Sequence, residues 1–121
     1  MSEMTKETIE TTITYDLLSL IQLKEFNTLI EKLRSFNVKF SVLIFNGKYG
    51  KSFGFVNSTS KISNVYCRDF YGGTREEKAN MLKDYTEWTI RVEYESNDLS
   101  LWQEIYDSLD EVREATIPSI I

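Results

Sequence analysis

Histidine is absent from this chain of 121 residues, cysteine and proline occur once each, and no apolar run is longer than Val42-Leu43-Ile44-Phe45. Each absence excludes something. Without histidine the chain lacks the commonest acid/base group at neutral pH, the commonest metal ligand and the partner that activates most serine and cysteine nucleophiles. The single Cys67 has no second cysteine for a disulfide or a zinc cage. The expectation is a protein that is not an enzyme and uses no cofactor and no metal. An apolar run of four residues falls far short of the roughly 20 that cross a bilayer, so no membrane segment is expected. The first residues, MSEMTKETIETT, show no basic stretch leading into an apolar one, which argues against a secretory signal and for a cytoplasmic protein.

What is present is ordinary globular material: 41% hydrophobic, 13% aromatic and 27% charged residues. The length suits one domain over 1–121. Ile9, Thr11, Ile13, Tyr15 and Leu17 alternate with polar residues and predict a strand. Ser19-Leu20-Ile21-Gln22 has capping-box spacing, and Phe26, Leu29, Ile30 and Leu33 repeat at helical intervals, predicting a helix over about 20–36. Residues 38–45 and 48–57 read as a hairpin turned at Asn46-Gly47. Residues 62–71 read as a further strand that ends at Gly72-Gly73, and Thr74-Arg75-Glu76-Glu77 opens a short helix. Trp88, Ile90, Val92 and Tyr94 alternate with charged and polar residues over 86–95, the pattern of an antiparallel strand with one wet face. A third capping box at Ser100 starts the last helix, whose apolar stripe is read as Trp102, Ile105, Tyr106, Leu109 and Val112, packed on Trp88, Ile90 and Val92. Pro118 closes it. The expected fold class is α+β, a mainly antiparallel sheet of about five strands with two main helices and one short one, in the order βαβββ(α)βα.

Two stretches carry chemistry. In the first, Lys51, Phe53, Gly54, Phe55 and Val56 lie on one predicted strand. This resembles the aromatic signature of RNA-recognition-motif domains, with Ser52 where that family has glycine and Ser58 where it has a third aromatic. The resemblance covers about Thr8 to Glu95, and it implies outward rings stacking on unpaired bases, with Lys51, Phe53 and Phe55 as RNA-binding residues. From Lys39 to Arg68 there are five basic residues and no acid, which suits phosphate. Yet two phenylalanines on one face of a short strand are more often simply core, and less often an aromatic patch that binds protein.

The second stretch is acidic. Residues 98–121 hold six acids against Arg113, whereas the other 97 residues carry thirteen charges of each sign. Glu104, Asp107, Asp110, Glu111 and Glu114 fall within about a third of a helical turn. Acids this close to a helix C-terminus oppose its dipole. Such a ridge is either a solvated face or a docking surface for a protein partner with a basic surface. Acids on one convex helix face offer no cleft to split two carboxyl pKa values for catalysis, and they lack the looped spacing of an EF-hand. Tyr71-Gly72-Gly73-Thr74 before a helix could cradle a phosphate, but Glu76 and Glu77 in the first turn would repel one.

In size, acidity and lack of catalytic groups the chain resembles phage-encoded inhibitors such as anti-CRISPR proteins, and immunity proteins that neutralise toxins. That resemblance implies an inhibitor that occludes a basic or nucleic-acid-binding surface of another protein. RNA binding through the Lys51-Phe53-Phe55 strand is the alternative.

Overall fold

The computed structural model describes residues 4–48, 51–58, 75–82 and 84–117. Eight elements follow in order: β1 (Thr5–Thr14), α1 (Leu17–Gln22), α2 (Lys24–Ser35), β2 (Lys39–Asn46), β3 (Lys51–Asn57), α3 (Arg75–Met81), β4 (Glu87–Ser96) and α4 (Ser100–Ala115). The strands form one antiparallel sheet in the order β1-β4-β2-β3. The fold is therefore α+β with a four-stranded sheet among the described residues. The further strand expected over 62–71, together with Cys67 and the Tyr71–Thr74 turn, lies outside them. No helix among the described residues is long and apolar enough to cross a membrane.

The alternation in β4 determines which face of the sheet is covered. Trp88, Ile90, Val92 and Tyr94 are buried, as are Ile9 and Ile13 of β1 and Phe40, Val42 and Ile44 of β2, and all belong to one core with the apolar stripes of the helices. The opposite face stays half-exposed. There Arg91 pairs with Glu10 across the strands and lies 4.7 Å over the ring of Phe45, while the Thr12 and Thr89 hydroxyls meet at 3.1 Å.

Several local expectations are corrected. The helix expected over 20–36 is two helices beginning at Leu17, and the N-cap is Asp16, whose Oδ2 accepts from the Ser19 backbone N–H at 2.9 Å. Ser19 is inside the helix. Leu23 sits between α1 and α2 with extended backbone, and the Asn27 side-chain amide donates to the carbonyls of Ile21 and Leu23 at 3.1 and 2.9 Å. It thus satisfies the Ile21 carbonyl, which the break frees, and adds a second donor to the Leu23 carbonyl, which already accepts from the Asn27 backbone N–H. Asn37, just past the end of α2, takes φ 56, a left-handed stop that asparagine tolerates. The hairpin does not turn at Asn46-Gly47: Asn46 is buried, ends β2 opposite Lys51, and its Nδ2 donates to the Glu87 carbonyl at 2.6 Å. The cross-sheet bond keeps Asn46 in the strand, and the turn begins after it, at Gly47 and Lys48.

The largest correction concerns α4. Its buried residues are Leu101, Ile105, Ser108, Leu109 and Val112. Trp102 and Tyr106, expected in the core, are 39% and 44% exposed. The helix lies against both α2 and β1, and Ser108 belongs to the buried arc. With its covered side centred there, Trp102 and Tyr106 fall on the flank, where they stack on each other with ring centres 5.0 Å apart and planes 14° from parallel. The consequence is measurable by chemical denaturation. Trp88→Ala, which empties a fully buried site, should cost about 3–5 kcal/mol, and Trp102→Ala about 1 kcal/mol or less.

Candidate functional site

The solvent side of α4 is fixed from its first turn. Asp98, two residues ahead of the helix, accepts from the Ser100 backbone N–H at 3.0 Å and from the Ser100 hydroxyl at 2.7 Å. These bonds hold the Asp98 carboxyl below its ordinary pKa, the hydroxyl contributing most. The Asp98 N–H in turn donates to the buried Ser96 Oγ at 3.0 Å, tying the start of α4 to the end of β4. Ser100 is therefore not the cap expected: it is already helical, Leu99 holds the cap position without a side-chain bond, and Asp98 ahead of it accepts from the first turn.

From that start the helical period carries Glu104, Asp107, Glu111 and Glu114 to exposed positions, and Asp110 to a half-exposed one. All five acids expected on the ridge share the solvent side. Arg113 is the only cation on α4. Its guanidinium donates to Asp110 at 2.8 Å and to Glu114 at 2.9 Å, and the Asp110 hydrogen bond and charge push its pKa further up. Such exposed pairs add little stability. Among the described residues Glu104, Asp107 and Glu111 form no ion pair, and Gln103 donates to Asp107 at 2.8 Å. Glu25 of α2 joins Asp110, Glu111 and Glu114 around a shallow cleft at the far end of the helix. The negative field thus extends from α4 onto α2. Among the described residues no three of these side-chain types converge to hold a metal ion.

The aromatic strand is placed differently from what its resemblance implies. Lys51, Phe53 and Phe55 lie on β3, which pairs with β2 at one side of the described sheet. Phe53 is 0% exposed and Phe55 4%. The register with β2 slips by one residue, so that Val42 faces Val56 but Leu43 faces Gly54. Phe55 is the extra residue, and this bulge lets Phe53, Phe55 and Val56 all bury. The Phe55 ring packs edge-on against Phe26 of α2 at 4.8 Å and lies 6.5 Å from Phe53. The faces expected to stack on bases are inside the protein.

The sequence reading missed the exposed Trp102–Tyr106 pair. A signal for it existed: Leu101, Ile105, Ser108, Leu109 and Val112 form as regular a stripe as the one drawn through tryptophan.

Two outcomes follow from this geometry. Phe53→Ala should destabilise by about 3–5 kcal/mol, as core truncations do, which a denaturation curve measures directly. Asp98→Ala should lower the melting temperature at neutral pH. Because the folded carboxyl titrates below its unfolded value, its contribution is present above the unfolded pKa and is lost as pH falls through the folded one. The gap in melting temperature between wild type and Asp98→Ala should therefore close in acid. Comparison of the chain with known protein families, curated proteins and solved structures found no match.

Proposed function

We propose that this chain is a non-enzymatic protein-binding module, an inhibitor that occludes a basic or nucleic-acid-binding surface of another protein. One observation carries the reading. Glu104, Asp107, Glu111 and Glu114 stand exposed along one side of α4 with Asp110 beside them, and a single cation, Arg113, answers them. Like charges four apart, as at Asp107 and Glu111, repel, and Glu111 and Glu114 also oppose the helix dipole. A merely solvated face gains nothing from that arrangement, whereas a basic partner surface converts both costs into attraction and faster encounter. The mechanism is steric and electrostatic: a rigid convex helix enters a cationic groove and fills it.

RNA binding through Lys51, Phe53 and Phe55 is not favoured by any geometry described above, since both rings lie in the core.

The test is a variant in which Glu104, Asp107, Glu111 and Glu114 are all replaced by lysine. Its fold should be retained, because none of the four is buried. A partner captured on wild type from nuclease-treated lysate is purified, and its association kinetics are measured at low and high salt. The expected result is an on-rate that falls steeply with salt, and that drops by about tenfold or more in the lysine variant. Salt-independent association, or a lysine variant that binds like wild type, overturns the proposal.

A further inference from the structure

Among the described residues the β1 edge of the sheet is open, and its chemistry is self-complementary. Among them β1 is paired only with β4, in an unbroken register from Thr5↔Ser96 to Thr14↔Glu87. Just beyond it the Tyr15 N–H donates to the Thr86 carbonyl at 2.7 Å, in the same register. Because bonded pairs alternate along an antiparallel ladder, the odd residues of β1 spend their backbone groups on β4, and the even ones aim theirs at the free edge. Lys6, Thr8, Glu10, Thr12 and Thr14 thus present N–H and C=O groups that no other described strand takes up. Long open edges of this kind pair with other strands unless something covers them.

Beside this edge, on the helix-covered side, a shallow cleft runs between β1 and α4, lined by Ile9, Thr11, Tyr106 and Leu109 among others. The stacked Trp102 and Tyr106 stand along it, exposed. The acidic residues Glu111 and Glu114 look instead toward α2. The flank of α4 nearest the edge carries Tyr106 together with the Asp110–Arg113 ion pair.

We infer that a second copy of this chain occupies the β1 edge, as a two-fold symmetric dimer in which the two β1 strands pair antiparallel and join the eight described strands into one continuous sheet. The charges of β1 select the register. Only even residues offer backbone groups, so even must face even. Centring the two-fold axis on Glu7 or on Glu10 sets identical carboxylates opposite each other, which is unfavourable. Centring it on Ile9 leaves every charge opposite an uncharged residue. Centring it on Thr8 sets Lys6 of each copy opposite Glu10 of the other, twice by symmetry. Lys6 has no ion-pair partner within the described residues. The cleft lined by Tyr106 borders β1 at Ile9, Glu10 and Thr11, just past this axis, so the two Tyr106 rings flank the joint on the helix side. Glu111 and Glu114 of each copy face α2, away from the joint.

Sedimentation of the full chain from micromolar to submillimolar concentration tests this. Wild type should move toward twice the 14.2 kDa chain mass. Thr8→Pro deletes an edge donor that β4 does not use, so it should keep the native circular dichroism spectrum and stay monomeric. Lys6→Glu and Glu10→Lys each turn two attractive pairs repulsive, and each alone should weaken the dimer by about tenfold or more. Mixed in equal amounts they restore both pairs, and a heterodimer should form. A folding defect in either variant could not produce that rescue. A wild type that stays monomeric throughout, a folded Thr8→Pro that still dimerises, or a mixture no more associated than its components overturns the inference.

Discussion

β4 is hydrogen-bonded along both edges, to β1 and to β2, and the remaining elements answer the requirement this creates. A strand held on both sides has its backbone satisfied and only its faces left to solve. Trp88, Ile90, Val92 and Tyr94 project to one of them, and that face is removed from water by α2 and α4. On the other, Thr89, Arg91, Glu93 and Glu95 keep contact with solvent, Arg91 being steadied by Glu10 and Phe45. The position of α4, and with it the orientation of the acidic side chains, is inherited from that choice of face.

The parts of this arrangement that were legible in the sequence are those set by local periodicity. Strict alternation in β4 depends only on the pleat, and the carboxylates of α4 face water because none can enter the core unpaired. The rotation of α4 was not legible in the same way. Two apolar arcs, one through Trp102 and one through Leu101 and Ser108, satisfy the helical period equally, and the choice between them is made by α2 and β1 on either side. Nor could the bulge at Phe55 be read, because it exists only in the pairing of β3 with β2. The break at Leu23 has no glycine or proline to announce it. It is stabilised from a distance by the amide of Asn27.

Asn46 shows the same competition in a single residue. Asparagine before glycine is a strong turn signal when considered locally, yet a bond to the Glu87 carbonyl keeps it in β2. A buried amide with a partner across the sheet outweighs the turn preference, since leaving that amide unmet would cost more than moving the loop by a residue or two. The hairpin loop is thereby coupled to the first residue of β4, which joins the rim of the sheet to its centre.

The chain has two tryptophans, and the fold places them in opposite environments. Trp88 is fully enclosed, its indole N–H donating to the Tyr85 carbonyl at 2.7 Å, whereas Trp102 lies on the surface against Tyr106. Indole emission depends on solvent contact, so the two rings form a pair of built-in optical probes with separate duties. Trp88 reports whether the core is intact, and Trp102 reports what arrives at the flank of α4. With Trp102 changed to phenylalanine, the remaining signal follows folding alone, and its difference from wild type isolates events at the surface without any external label.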